Sequence, residues 1–407
     1  MLHDKTLTRY LSGAAALAAI GLGASSEALA GTPLCSSLPN PVYLQVGDTQ
    51  EPLMKALGQK LRASTVNPVT IIYYLNGSCT NIDAMYNGTK LTVNPNYVPS
   101  QTEMPGWDPT QASPTCTIDP NGVPLDIANS NVFINACTST PMPAGIGAFQ
   151  GAIQPYVFVA PKASTQVGIT AETAYFVFGF GANSQVTPWN DPAFMFIRAA
   201  TKSTLVSMAN NIHVPPAKWQ GTVEASSTAV VNAVATSTSP EKTIGILGAE
   251  VYDQNRSTLK SLAYRAFQQK KAYYPDSTST ARDKRNLRDG HYTIWSPTVY
   301  MAPVDGSGKV INARAAYVID QILAQTSSPV PDFDPLATQI SVGLVPDCAM
   351  KVTRDHEGGD LSLYSPAAPC GCFFESQTGT ASASCTACTS DATCGAGKCR
   401  FGYCEAK

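Results

Sequence analysis

The chain has 407 residues, of which 44% are hydrophobic and 14% charged, and its formal net charge is −2. This length is enough for two or three domains of ordinary size. The near-neutral charge argues against general electrostatic binding to nucleic acid or to an anionic membrane surface. The charged fraction lies below the roughly 25% typical of soluble proteins, which suits an extracellular protein.

The first thirty residues have the features of an export signal. Lys5 and Arg9 precede the apolar run 11–24, and the tripeptide Ala-Leu-Ala at 28–30 is a small-x-small cleavage site. The run is shorter than the roughly 20 residues that span a bilayer, and no later segment is long and apolar enough. We expect cleavage near Ala30, no membrane insertion, and a protein located in the periplasm or outside the cell.

The first predicted domain alternates strand-like and helix-like runs. Val42–Val46 is a short apolar run, and Pro52 then opens a helix, because proline is favoured in the first helical turn. The continuous run Val69–Tyr74 is typical of a strand buried on both faces of a parallel sheet. Residues 86–125 are rich in Pro, Asn, Gly and Thr, which indicates a surface insertion. A short strand, Asp126–Ser130, follows it.

A second predicted domain begins with the strand Gln154–Ala160 and continues to residue 290. The charged run Arg282–Arg288 is expected to be an exposed helix, because charge runs usually lie on solvated faces. Its other elements alternate again, as Phe194–Ile197 (strand), 205–209 (helix), Ala229–Val234 (helix) and Thr243–Leu247 (strand). The segments Tyr292–Met301 (strand), Ala313–Leu323 (helix) and Thr338–Val345 then complete the first domain. Such alternation implies an α/β fold with mostly parallel sheets, whose ligands bind beyond the carboxyl ends of the strands.

Twelve cysteines in an exported chain indicate disulfides. The segment from Pro369 to Lys407 has too few apolar residues for a core of its own, so cross-links are expected to hold it. The spacing Cys385-x-x-Cys388 is also compatible with a zinc site, although an oxidising compartment favours disulfides. The twelve are Cys35, Cys79, Cys116 and Cys137 in the first third, and Cys348, Cys370, Cys372, Cys385, Cys388, Cys394, Cys399 and Cys404 near the end.

Three loops rich in small and hydroxyl residues, 47–49, 76–78 and 202–204, each lie between a strand-like run and a helix-like or polar run. A helix N-terminus offers unpaired N–H groups and a partial positive charge, so such loops can hold an oxyanion if they converge. Arg198 precedes the third loop and can add charge-assisted bonds. The alternatives are a surface arginine at a strand end and hydroxyl residues that only cap helices.

The order of elements from Val42 to Val345 resembles that of the phosphate-binding proteins of ABC transporters, which have a type II periplasmic binding fold. The matching segments are 47–52 (Gly-x-Thr-x-Pro-like), 77–78 (Gly-Ser), 126–131 (Asp-Phe-Gly-Ala-Ser-Asp-like), 198–204 (Arg-x-Asp-Gly-Ser-Gly-Thr-like), 243–246 and 292–295. The resemblance implies two lobes and a cleft that closes on phosphate or a related small oxyanion. Lobe I would comprise 31–153 and 291–348, with the insertion 86–125. Lobe II would be 154–290, and 349–407 would be a cysteine-rich tail.

The same resemblance implies the ligand-binding residues and the partners. The candidate residues are Asp48, Thr49, Gly77, Ser78, Asn131, Arg198, Lys202, Ser203 and Thr204. An ABC permease would receive the ligand. An alternative is a surface interaction protein that keeps the fold, has lost or changed its ligand, and uses the tail to contact its partner.

Several residues depart from the family pattern. Asn131 stands where the family has an Asp that accepts the proton of hydrogen phosphate, so discrimination against sulfate would be lost. Ala200 replaces an Asp that orients the arginine, and Lys202 replaces a Ser that contacts the ligand. The carboxylate of Asp48 would repel an anion, so it is expected to face away from the ligand.

The sequence gives little support for an enzyme. His213, His291 and His356 are the histidines after the export signal, and neither a Gly-x-Ser-x-Gly elbow nor a His-Glu-x-x-His motif accompanies them. We therefore expect a binding protein without catalytic residues, cofactor or metal.

Overall fold

A computed structural model describes residues 32–379 and 383–405. The predicted export signal and its cleavage site lie outside the described residues. The chain from Pro33 onward forms one compact unit. Within the described ranges, no helix is both long and apolar enough to cross a membrane.

Strands and helices alternate through most of the chain. The strands are β1 (Pro41–Val46), β2 (Thr70–Leu75), β3 (Asn96–Tyr97), β4 (Ile127–Ser130), β5 (Ile146–Pro161), β6 (Gly168–Thr170), β7 (Met195–Arg198), β8 (Thr222–Glu224), β9 (Ile244–Gly248), β10 (Leu259–Ser261), β11 (Ala263–Arg265), β12 (Trp295–Pro303), β13 (Val352–Thr353), β14 (Ser362–Leu363), β15 (Lys398–Arg400) and β16 (Tyr403–Glu405). The helices are α1 (Glu51–Ala63), α2 (Ser78–Tyr86), α3 (Ala171–Phe180), α4 (Ser203–Ile212), α5 (Ser227–Ala235), α6 (Ala249–Gln254), α7 (Arg285–Arg288), α8 (Ala313–Ile322), α9 (Pro335–Ser341) and α10 (Gly371–Gln377).

The main sheet has the strand order β3-β2-β1-β4-β12-β5-β9-β7-β8, with β10 beside β5. β1 pairs in parallel with β2 and β4, and β7 pairs in parallel with β8 and β9. The long strands β5 and β12 pair antiparallel to each other and to their neighbours β9 and β4, and so join the two parallel groups. The predicted α/β class with parallel strands is confirmed, and antiparallel pairing enters through β5 and β12.

Three apolar cores pack against this sheet, and the smallest contains Tyr43, Ile72 and Ile82. Another contains α1, whose residues Leu53, Leu57 and Leu61 share one face and pack with residues of β1, β2 and α8. Each such leucine stabilises the fold by roughly 1.5–3 kcal/mol when fully buried. The larger core gathers β5, β9, α3, α4 and α5. The predicted lobe boundaries near residues 153 and 290 remain predictions.

The expected exposed helix at Arg282–Arg288 is confirmed only in part, because Arg282 and Arg285 are exposed whereas Lys284 and Arg288 are buried. Helix α7 begins only at Arg285, and Lys284 is buried with its ammonium 2.7 Å from Asp253 and 3.0 Å from Asp276. Arg288 is also buried and pairs with Glu375 at 2.9 Å. Charged groups can be buried here because each has an opposite charge within hydrogen-bond distance.

All twelve cysteines are paired. Cys35–Cys116 fastens the predicted insertion, Cys79–Cys137 links two early segments, and Cys348–Cys370 ties the tail to the end of the body. The remaining three bonds lie within the tail, as Cys372–Cys385, Cys388–Cys399 and Cys394–Cys404. The zinc alternative is therefore wrong, because a disulfide sulfur is no longer a thiolate ligand.

Candidate functional site

Four loops meet beyond the carboxyl ends of β1, β2, β4 and β7. The backbone N–H of Asn131 donates to Ser78 Oγ at 3.0 Å, and the side-chain amide of Asn131 donates to Thr49 Oγ1. The N–H of Cys79 donates to the carbonyl of Thr201 at 3.3 Å. Parallel strands bring the loops after their carboxyl ends to the same edge of a sheet, and the contacts join loops from both parallel groups.

Gly77 is required by this close approach. A Cβ atom at position 77 would lie 2.7 Å from the carbonyl oxygen of Thr201, closer than real Cβ contacts allow. Only glycine lets the turn before α2 pack on the turn before α4. The glycine therefore positions the site through its backbone.

Arg198 ends β7 with its guanidinium inside the molecule. Its side chain is 1% exposed, Nη1 donates to the carbonyl of Glu224 at 2.5 Å, and Nη2 lies 2.6 Å from Asp48 Oδ2. Its Nε has no hydrogen-bond partner among the residues that the structure describes. A buried, always charged and partly unsatisfied guanidinium is well suited to bind an anion.

Asp48 faces Arg198, which corrects the expectation that it points away. Its Oδ2 also accepts a hydrogen bond from Ser227 Oγ at 3.0 Å, and its Oδ1 lies 3.6 Å from Lys202 Nζ. Burial alone would raise the pKa of Asp48, but the charges of Arg198 and Lys202 and the Ser227 hydrogen bond outweigh burial, and the pKa lies below the ordinary aspartate value. The carboxylate is attracted because it lies between two cations.

This contact explains how the arginine is held without an acid at position 200. The resemblance places an arginine-orienting Asp where this chain has Ala200. Here the carboxylate comes instead from Asp48, 150 positions away in sequence.

Lys202, Ser203 and Thr204 form the start of α4. Burial lowers the pKa of the Lys202 ammonium, and the Asp48 carboxylate only partly offsets this effect. Ser203 and Thr204 are buried. Within the described residues, neither α2 nor α4 has a side-chain cap, so their first N–H groups contribute partial positive charge.

Asn131 links the loops through both its backbone and its side chain. Its backbone carbonyl accepts from Tyr156 Oη at 2.6 Å, and its side-chain Oδ1 is buried without a hydrogen-bond partner in the part of the chain that is described. An aspartate could not donate to Thr49 as the amide does. The Asp-to-Asn departure is thus accommodated by a hydrogen bond to the first loop.

Sequence reasoning missed three residues of this region. Ser227 and Tyr156 contribute hydroxyls, and Glu250 lies in the first turn of α6, after the carboxyl end of β9. Glu250 is 1% exposed and accepts from the amide of Gln154, and burial, with smaller contributions from Asp253 and Asp48, raises its pKa to about 8. A Gly-Ala-Glu turn directly after the predicted strand Thr243–Leu247 could have indicated it.

A second acidic side chain reaches the region from the tail. Glu357 Oε1 accepts from Ser207 Oγ and from Ser296 Oγ, each at 2.6 Å, and Oε2 accepts from the N–H of Phe133 at 3.4 Å. Arg354 lies 3.8 Å from the same carboxylate. Ser207 follows Ser203 by one turn of α4, so this slot, which we call the Glu357 slot, adjoins the Arg198 site.

Solved structures with a similar fold include transport receptors and a regulator. A putative phosphate ABC transporter substrate-binding protein with bound phosphate, from Clostridium perfringens, is 11% identical (TM-score 0.49; 75% of this chain and 99% of that chain covered). An ABC-type phosphate transport receptor from Vibrio cholerae is 13% identical (TM-score 0.45; 75% and 99%). The reduced OxyR regulatory domain from Pseudomonas aeruginosa is 10% identical (TM-score 0.38; 70% and 96%).

No protein-family model matches the chain, and no curated protein matches it.

Proposed function

We propose that the chain is a solute-binding protein that captures a small oxyanion, phosphate or a relative, at the site around Arg198. The observation that carries this proposal is the buried Arg198 guanidinium, which already holds a carboxylate where loops of the two parallel strand groups meet. A site that binds the carboxylate of Asp48 has the charge and donors to bind other oxyanions.

The remaining candidates supply the rest of the binding surface. Lys202 adds a second positive charge, and the uncapped starts of α2 and α4 bring Ser78 and Ser203 with their backbone N–H groups. Thr49 and Asn131 hold the opposite wall. Thr204 is buried at the same helix start. These residues recognise an oxyanion by charge and hydrogen bonding, without a metal.

Titration calorimetry and thermal shift with phosphate, sulfate and arsenate test this function. We expect heat of binding and a rise in melting temperature, because a ligand that binds only the folded state adds about 2.7 kcal/mol at 100 times its dissociation constant. Arg198→Ala should weaken binding about ten- to a hundredfold, the effect of about 1.5–3 kcal/mol for hydrogen bonds to a charged group.

Arg265→Ala is the matched control. Arg265 is half-exposed and pairs with Glu172 on the surface at 3.3 Å, so its loss should leave anion affinity unchanged. Absence of heat and of thermal shift for all three anions with the wild-type protein would contradict the proposed function.

The proposal extends to an exported protein. Six disulfides fit an oxidising compartment. Delivery of the anion to an ABC permease is part of the same proposal, and co-purification of the anion-loaded protein with a candidate permease would test it.

A further inference from the structure

We infer that Asp48 is an internal ligand of the Arg198 site, so that an oxyanion from solution must displace its carboxylate from Arg198 in order to bind. This inference rests on the proposed function and names how that site is regulated. It concerns a carboxylate that the sequence alone indicated should face away.

The surroundings of the Asp48 carboxylate are those of a bound anion. Its donors come from three elements that lie apart in sequence: Arg198 at the end of β7, Lys202 before α4 and Ser227 at the start of α5. Asp48 itself comes from the loop after β1, on the other parallel group. The carboxylate comes from one side of the site. The cations and the hydroxyl that bind it come from the other side.

A fixed orienting role for Asp48 is the competing explanation. Arg198 does not depend on Asp48 alone, because the carbonyl of Glu224 accepts from Nη1 at 2.5 Å and belongs to the strand beside β7. The Asp48 side chain is 18% exposed, whereas that of Arg198 is 1% exposed. The Glu224 carbonyl therefore holds the buried arginine in place without Asp48. The Asp48 carboxylate is the member of the pair that can move toward solvent.

The negative charge of Asp48 also makes it compete with an incoming oxyanion for Arg198 and Lys202. Arg198 and Lys202 supply two positive charges, and Asp48 cancels one of them at a distance of 2.6 Å from Arg198 Nη2. A second anion beside Asp48 would meet a like charge, which is unfavourable at short range in a partly buried site. When Asp48 leaves, the full positive charge becomes available to the incoming oxyanion.

Asp48→Asn tests the inference, since it removes the charge and keeps the side-chain volume. Calorimetry with inorganic phosphate and with sulfate is expected to show binding at least about tenfold tighter than in the wild type. Asp48→Ala should also bind these anions more tightly than the wild type. Circular dichroism and a melting curve without anion verify that each variant is folded.

Glu51→Gln is the matched control, because it removes one negative charge three positions away along the chain, from a side chain that pairs with other residues. Glu51 pairs with Lys55 at 3.0 Å and accepts from Tyr73 at 2.9 Å. The affinity of the Glu51→Gln variant for phosphate and sulfate should stay within about twofold of the wild-type affinity. An equal gain in Glu51→Gln would overturn the inference, because general charge would then explain the effect.

The outcomes separate the inference from the function it rests on. Anion binding by the wild type with unchanged or weaker binding by folded Asp48→Asn and Asp48→Ala overturns the inference and leaves the function standing. Binding by the Asp48 variants alone supports the inference but contradicts the proposed function, because the wild-type site would then be blocked by its own carboxylate. Binding by none of the proteins overturns both.

Discussion

The Arg198 site and the Glu357 slot each hold a carboxylate of the chain itself, but they hold it differently. Asp48 is partly exposed and lies between two cations, Arg198 and Lys202. Glu357 is almost completely buried, and its hydrogen bonds come from the hydroxyls of Ser207 and Ser296 and from a backbone N–H. The first arrangement suits an exchangeable anion, whereas the second suits a permanent structural contact.

The arginines of the two regions are both buried, but they lie at different distances from their carboxylates. Burial lowers the pKa of Arg354, and the Glu357 carboxylate opposes this effect. The Arg354 guanidinium stacks over Trp295 with 4.2 Å to the ring centroid, and its Nε and Nη2 have no hydrogen-bond partner among the described residues. Each arginine also donates to a backbone carbonyl, Arg354 to that of Thr293 at 3.1 Å and Arg198 to that of Glu224 at 2.5 Å. Arg354 lies 3.8 Å from its carboxylate, whereas Arg198 lies 2.6 Å from Asp48.

The largest expected effect is on Glu357. Glu357→Ala should lower the free energy of unfolding by about 3–5 kcal/mol, because it leaves the buried Arg354 without its anion. Guanidinium denaturation with the disulfides intact measures the loss. Asp355→Ala, an exposed acid of the same segment, should change stability by less than about 0.5 kcal/mol. Equal losses in the two variants would show that the slot is not a structural contact.

Glu250 provides a third, pH-dependent case, an acid that forms no ion pair with any of the residues that the structure describes. Its pKa of about 8 in the folded protein exceeds the ordinary value of 4.5, so the folded state binds an additional proton between these pH values. The sign follows from proton linkage: the contribution of Glu250 to stability is greatest below about pH 4.5 and declines as the pH rises toward 8, by at most about 1.4 kcal/mol per pH unit. Glu250→Gln should remove this decline.

Melting temperatures of the wild type and Glu250→Gln at pH 5.5 and pH 7.5 measure the effect. The variant should gain relative to the wild type at the higher pH, by a few kcal/mol at most. Parallel pH profiles of the two proteins would mean that Glu250 titrates at an ordinary pKa.

Asp48→Asn should cost less stability than Glu357→Ala. We expect the free energy of unfolding to fall by about 1–2 kcal/mol at pH 7, since solvent and the Glu224 carbonyl still accept hydrogen bonds from Arg198. The folded-state pKa of Asp48 is lowered, so its contribution is present above about pH 4 and disappears as the pH falls further. Denaturation curves of the wild type and the variant at pH 7 and pH 3 measure the loss at neutral pH and its disappearance in acid. A loss as large as that of Glu357→Ala would remove the distinction between the two regions.

The smallest effect is expected for Ser227, one of two hydroxyl donors that can be compared between the regions. Ser227→Ala removes one hydrogen bond to Asp48 and should cost about 0.5–1 kcal/mol, whereas Ser207→Ala, at the fully buried Glu357 carboxylate, should cost about 1–3 kcal/mol. Chemical denaturation of both variants under one set of conditions provides the comparison. The reverse order would indicate that the Asp48 contacts are the more rigid ones.

Local patterns predicted the framework of the site well. The runs Val42–Val46 and Val69–Tyr74 are strands, Pro52 lies in the first turn of α1, and Arg198 ends a strand just before a helix. These features depend on neighbouring residues, so periodicity and turn chemistry were sufficient. The convergence of the loops then followed from parallel pairing.

The partners of the charged side chains could not be predicted in this way. Asp48 and Arg198 are 150 positions apart, as are Ser207 and Glu357. Whether a carboxylate turns toward a guanidinium or away from it depends on tertiary packing, which no local pattern encodes. Tertiary packing also explains why part of the charged run at Arg282–Arg288 is buried. Its buried cations pair with acidic residues that are distant in sequence.

The Glu357 slot also bears on the order in which the molecule can mature as it is synthesised. Phe133, Ser207 and Ser296 precede Glu357 by 224, 150 and 61 positions, so all three are made before it. A nascent chain that has not yet reached residue 357 carries these donors without their acceptor. The contacts of Glu357 with α4, with β12 and with the loop after β4 can therefore form only after translation has passed that codon.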